Sequence, residues 1–241
     1  MKKKLTTLAI FFLSLGVFAQ EAEEKVSVGL SLNQDAFFGF TPMMTFGYEI
    51  NETTSFTAYG IQWGAGTGSA WGQWTEFGIG FNKTIGNFDI NPQLGFTMGS
   101  LLSSGAAQEG IVGDGIVPNL TVNYGTDKFE GQIYAGYYGA FRDNTAAGQS
   151  TNNYVHYWAN FGYKVSPYFS FGLHFEELYL SGGQTNGGGE LDRIDGYVWF
   201  GPYLQLQKGN AGLRFSFGNN SAEDGNFAPN DFYKLSFFVS L

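Results

Sequence analysis

The 241-residue sequence contains no cysteine, which excludes disulfides, thiolate metal sites and a lipid-modified N-terminal cysteine. Charge is scarce too. Only 14% of residues are Asp, Glu, Lys or Arg, against about 25% in ordinary soluble domains. Bases are fewest: 12 Lys and Arg face 21 Asp and Glu, for a net charge of −9. That balance argues against nucleic acid or any other polyanion as a partner. His156 and His174 are the only histidines, so imidazole chemistry has two places to be. Beyond the N-terminal segment, no apolar run is long enough to span a bilayer as a helix.

What is present is aromatic and glycine-rich: 18% of residues are Phe, Trp or Tyr, and 36 are Gly. The N-terminus carries Lys2, Lys3 and Lys4, then the apolar stretch Leu5 to Phe18, then Val17-Phe18-Ala19. This is the pattern of a Sec signal peptide cleaved near Ala19, which leaves residues 20–241 as the mature chain. Loss of the three lysines takes the charge to about −12.

The rest alternates with a period of two, the signature of strands with one apolar and one polar face. Twelve such stretches can be traced. Val26, Val28, Leu30 and Leu32 form the first stripe, and Met44, Phe46, Tyr48 and Ile50 the second. The third, with Tyr59, Ile61 and Trp63, is the least regular; the fourth has Phe77, Ile79 and Phe81. Phe88 to Met98, Ile116 to Tyr124, Phe129 to Tyr137, Val155 to Val165 and Phe169 to Phe175 follow. The last three run from Ile194 to Leu206, from Leu213 to Phe217 and from Tyr233 to Leu241. Short turns are expected near residues 51–53, 83–87, 125–128, 166–167 and 208–210. Longer loops are expected near 34–42, 64–71, 100–114, 142–152, 181–192 and 218–230. Short turns and long loops therefore alternate, so each kind gathers at its own end. Period alone leaves two solutions, a soluble β-protein with the apolar face inside or a barrel with that face in lipid. Loop segregation, a polar face of Gly, Asn, Gln and Ser, and aromatics beside the short turns (Tyr48, Phe81, Phe88, Tyr124, Phe129, Tyr163, Phe169) favour lipid.

The terminal stripe Tyr233, Leu235, Phe237, Val239, Leu241 resembles the C-terminal recognition strand of Gram-negative outer-membrane β-barrels, which more often end in Phe. The resemblance covers the class, and no specific family is assigned. It implies an all-β fold, a single twelve-stranded antiparallel transmembrane barrel. It further implies a cell outer-membrane location, contact with outer-membrane lipid, and the barrel assembly machinery as a partner during biogenesis. In architecture it is similar to the twelve-stranded nucleoside and oligosaccharide channels, which implies a passive or weakly selective channel. The alternatives are a structural or partner-binding barrel with a closed lumen and a lipid-active membrane enzyme. The twelve-stranded outer-membrane phospholipases carry a His-x-Ser-type motif, whereas here Tyr157-Trp158 follows His156 and Phe175-Glu176 follows His174. No catalytic residue is therefore assigned, and no cofactor is expected.

On the polar face, Glu49, Trp74, Glu76, Tyr134, Tyr138, Trp158, Tyr197, Trp199, Tyr203 and Arg214 are the candidate lumen-lining and solute-contacting residues. Tyr and Trp offer stacking surfaces with a polar tip, although they can equally just fill a narrow barrel. Acids on that face (Glu49, Glu76, Asp89, Glu130, Glu176, Asp195) outnumber bases (Lys164, Arg214, Lys234), which favours neutral and cationic solutes. His156, His174 and Glu176 fall on one face of adjacent strands. If Lys164 opposes Tyr168, His156 opposes Glu176, as a hydrogen-bonded group or, less simply, a metal or pH-responsive cluster. Pro92, Pro118 and Pro202 sit within apolar stripes and are expected at bulges, or else at a lateral opening. Gly64-Ala65-Gly66-Thr67-Gly68 lacks a following helix, so it is not a nucleotide loop. The Glu223-Asp224 stretch lacks EF-hand spacing and reads as a solvated acidic loop.

Overall fold

A computed structural model describes residues 25–64, 74–99, 113–141, 150–223 and 228–241. The signal peptide, most of the glycine loop and Asp224 lie outside the described residues. The strands are β1 (Val26–Asp35), β2 (Gly39–Asn51), β3 (Thr54–Trp63), β4 (Trp74–Ile85), β5 (Phe88–Met98) and β6 (Gly115–Gly125). They continue as β7 (Phe129–Ala140), β8 (Ser150–Ser166), β9 (Phe169–Thr185), β10 (Ile194–Lys208), β11 (Ala211–Asn220) and β12 (Asp231–Ser240). Each pairs antiparallel with its sequence neighbours, and β1 pairs with β12, so the sheet closes with no free edge. Leu241 N donates to Val28 O at 2.8 Å and completes the seam.

The apolar stripes point outward. Phe77, Ile79 and Phe81 are each more than half exposed, as are Phe161, Leu173, Phe200 and Leu206. A water-soluble protein does not present such a continuous apolar belt; lipid is the solvent that this surface matches. The fold is that of a transmembrane β-barrel. Beside the short turns, Phe88 lies 4.9 Å from Tyr124 and Phe129 5.7 Å from Tyr163, ring to ring, on the outer face.

The structure departs from the sequence expectations at five places. The first is β3, whose stripe is inverted: Tyr59 and Trp63 are buried inside the barrel and Phe56 and Ala58 take the outer face. Second, the connection expected at 34–42 is the three-residue turn Ala36-Phe37-Phe38, with Phe37 and Phe38 folded into the barrel. Third, β8 and β9 are 17 residues each and take residues 150–152 and 181–185 from the stretches expected as loops at 142–152 and 181–192. Fourth, a register shift between Asp195 and Tyr197 moves Ile194 to the inner face, opposite Leu180, and Asp195 to the outer face, opposite Tyr179. One extra residue in one strand reverses the faces before it. Fifth, Pro92, Pro118 and Pro202 are not at bulges. Gly80↔Gln93 and Lys83↔Ile90 belong to one unbroken register across Pro92, and the same holds at Pro118 and Pro202. Each proline omits paired bonds on one side without shifting the strands, and the strands stay zipped: a Cβ on Gly201 would sit 2.0 Å from Phe217 O.

Candidate functional site: a filled lumen

Glycine on the inner face proves to be seating for rings. A Cβ on Gly162 would lie 2.0 Å from the Tyr203 hydroxyl, and one on Gly172 2.6 Å from the same ring. Gly78 and Gly95 stand in the same relation to Tyr59, Gly136 to Tyr134, and Gly212 to Phe238. Phe238, the exception on the polar side of β12, thus has a place: it lies over Gly212. With no side chain there, each glycine lets an aromatic ring lie against the wall, which is how a barrel of this size holds so many rings.

At the loop end the rings form a plug. The Asp35 carboxylate accepts from Phe37 N (2.9 Å) and Phe38 N (2.6 Å), which fixes the β1–β2 turn as an Asx-type turn. Phe38 then packs 4.7 Å from Trp63 and 5.7 Å from His156, and Phe37 5.1 Å from Tyr197, between ring centroids. Tyr197 stacks on Trp199 at 3.9 Å, and Trp199 on Phe232 at 5.0 Å. Tyr197, Trp199 and Phe37 are fully buried. Trp199 Nε1 is buried with no hydrogen-bond partner among the described residues.

Below the plug lie polar networks. Around Glu176, Oε1 meets His156 Nε2 at 2.9 Å and accepts from the Tyr197 hydroxyl at 2.8 Å. Oε2 accepts from Lys234 Nζ at 2.6 Å and meets His174 Nε2 at 3.1 Å. The other His174 nitrogen, Nδ1, lies 2.6 Å from Asn160 Oδ1. The expected pairing is off by two: Trp158 opposes Glu176, and His156 opposes Leu178. A shift of two preserves faces, so the three side chains still meet. Among the described residues no group of His, Asp and Glu has the arrangement of a metal site.

Two more carboxylates anchor the wall. Glu76 accepts from the Tyr59 hydroxyl at 2.5 Å and from Trp63 Nε1 at 3.0 Å, and Asn119 donates to the Tyr59 hydroxyl at 2.9 Å. No ion pair reaches Glu76 among the described residues. Glu130 accepts from Ser170 and Tyr203 (both 2.8 Å) and lies 3.5 Å from Arg214, whose guanidinium covers the Tyr203 ring at 4.4 Å. Trp158 donates to Gln132 at 2.7 Å and stacks on Tyr134 at 4.0 Å; Tyr134 and Tyr138 share a 3.3 Å hydroxyl contact.

Of the sequence candidates, Trp74 and Tyr138 join the plug, Glu76 and Tyr134 the network beneath it, Trp158 and Tyr197 the Glu176 cluster, and Tyr203 and Arg214 the Glu130 group. Trp199 is stacked between Tyr197 and Phe232. Glu49 stands apart, exposed at the short-turn rim. Phe37, Phe38, Tyr59, Trp63 and Asp35 belong to the site but carry no clear sequence signal. The one hint is a Phe-Phe pair in a segment that otherwise reads as a polar loop. Asp195, expected inside, forms an outer-face group instead: Arg193 Nη2 contacts Glu177 Oε1 at 2.7 Å and Asp195 Oδ1 at 3.1 Å, and Tyr157 donates to Glu177.

In fold the chain is similar to solved outer-membrane proteins. The COG4313 outer membrane channel from Pseudomonas putida F1 aligns with a TM-score of 0.63 at 11% identity, over 90% of this chain and 96% of that one. The NanC porin aligns with a TM-score of 0.52 at 9% identity, over 89% and 100%. A family model described as a family of unknown function, DUF6733, matches residues 1–241. Comparison with curated proteins gave no match.

Proposed function

We propose that this chain, which belongs to the DUF6733 family of unknown function, is an outer-membrane channel for small neutral or cationic solutes, closed at rest by its own side chains. The observation that carries this reading is the inward Phe37-Phe38 turn. It is a short chain segment, held by one carboxylate, lying in the mouth of the lumen above the polar networks of Glu176, Glu76 and Glu130. A barrel with only a structural role gains nothing from a polar lumen that must satisfy Glu76, Glu130 and Glu176 in the interior. A solute pathway does.

The fold shared with an outer-membrane channel and a porin supports the same compartment and role, at the level of architecture. Cation preference follows from the acid balance. Lys234 neutralises Glu176 and Arg214 faces Glu130, whereas Glu49 and Asp89, on the less buried part of the inner face, have no ion-paired base among the described residues. Sec export with cleavage near Ala19 and delivery to the barrel assembly machinery complete the reading.

A second reading is favoured by the complete burial of Tyr197, Trp199 and Glu176: a permanently closed barrel with a structural or partner-binding role. Planar-bilayer recording under a salt gradient separates the two. The channel reading predicts discrete current steps, with a reversal potential displaced toward the cation. Silence at every voltage overturns it in favour of the closed barrel.

A further inference from the structure

The β1–β2 turn touches a cluster of proton-binding groups at three points. Asp35, the last residue of β1, is buried and accepts from Phe37 N and Phe38 N through a single oxygen, Oδ1. Tyr197 lies 5.1 Å from Phe37, ring to ring, and donates to Glu176. His156 lies 5.7 Å from Phe38 and meets the same carboxylate.

The surroundings separate the two acids. On β12, Lys234 is the register partner of Asp35, but its Nζ goes to Glu176 at 2.6 Å. His174 on β9 and His156 on β8 also meet Glu176. From β2 come Gly39 and Thr41, neither of which titrates. Glu76 on β4 stands behind Trp63, to which it is hydrogen-bonded. A lysine and two histidines thus converge on Glu176, whereas no ion pair reaches Asp35 among the described residues.

We infer that Asp35 is a proton-operated latch: ionised, it keeps the turn folded into the mouth, and a proton on it releases the turn and opens the channel in acid. A carboxylate is a stronger acceptor than a neutral carboxyl, and both bonds weaken together because both end on one oxygen. Burial without a contacting base makes that charge costly to keep, which is what lets a proton displace it. A proton on either histidine lands beside Glu176, joins the ion pair already there and touches no backbone atom of the turn.

This inference rests on the channel reading, whose regulation it names, and its test reads the turn and the current separately. The chain has no cysteine, so Ala36→Cys places a single nitroxide label in the turn of the full barrel in vesicles. Label mobility should rise between about pH 7.5 and about pH 4.5, and bilayer open times should lengthen about fivefold or more. A label at Asn210→Cys, in a short turn at the far end, should not respond. Asp35→Asn keeps the shape and the acceptor without the charge. At neutral pH it should show the mobility and open times that wild type shows in acid, with no further change on acidification. His156→Gln with His174→Gln should keep the wild-type response. Equal mobility at both pH values, an Asp35→Asn turn that still responds to acid, or a response lost with the histidines would overturn the latch. Mobility that rises in acid beside a bilayer silent at every voltage would leave the latch standing and remove only the channel reading.

Discussion

The Tyr203 hydroxyl lies over Gly162 so closely that a Cβ on that glycine would be 2.0 Å from it. The ring is held there by Arg214 over its face and by Glu130 at its hydroxyl. The lumen is therefore built of rings fitted to bare wall. Gly162→Ala must displace Tyr203 or shift β8 against β9. We expect a loss of about 1–3 kcal/mol in urea unfolding from vesicles. Gly125→Ala, whose added methyl would meet nothing within 4 Å, serves as the control and should be near neutral.

Lys234 reaches from β12 to Glu176 on β9 at 2.6 Å, and the carboxylate is fully buried. Lys234→Met removes the one always-charged partner and leaves Glu176 with two histidines and a tyrosine. The expected cost is about 3 kcal/mol in the same unfolding measurement. Lys234→Met combined with Glu176→Gln should recover most of it, because the charge is then gone from both sides. A double variant no better than the single would contradict the ion-pair account.

Pro202 interrupts hydrogen bonding to β11 without shifting the register. Pro202→Ala restores a donor on a ladder already in line. Stability should change by less than about 1 kcal/mol, and uptake of apolar solutes by cells producing the variant should match wild type. A selective drop in apolar uptake would instead show that the seam at Pro202 opens laterally.

Asp35 holds the turn that carries the plug. Asp35→Ala frees two backbone N–H groups and should loosen Phe37 and Phe38. The expected result is longer open times in bilayer recordings, with at most about 1–3 kcal/mol lost from the barrel as a whole. Open times equal to wild type would mean that the turn is held by its ring contacts alone.

How much of this the sequence carries depends on what each feature obeys. Strand number, closure and the outward stripes follow from the period of two, because lipid enforces it over every strand. The meeting of His156, His174 and Glu176 survives a pairing error of two because faces repeat at two. Alternation puts Ile194 and Asp195 on the wrong faces because one extra residue near Gly196 reverses them and leaves no mark in the pattern. It also misplaces Tyr59 and Trp63, because a large ring is apolar whether it meets lipid or another ring. The seats for Tyr59, Gly78 directly opposite it on β4 and Gly95 one strand further on β5, are set by the pairing register, which alternation alone does not fix. The Phe37-Phe38 plug is legible only once the barrel is closed, since its partners Trp63, His156 and Tyr197 come from β3, β8 and β10.

The central claim is that a channel is present and that the β1–β2 turn closes it. Replacing both rings, Phe37→Gly with Phe38→Gly, removes the turn's contribution to the plug and changes no strand residue. Single-channel recording of that variant beside wild type tests the claim most directly. Wild type should give brief, small steps and the variant larger, long-lived ones, with cation preference kept. A folded variant with no more conductance than wild type would contradict the claim.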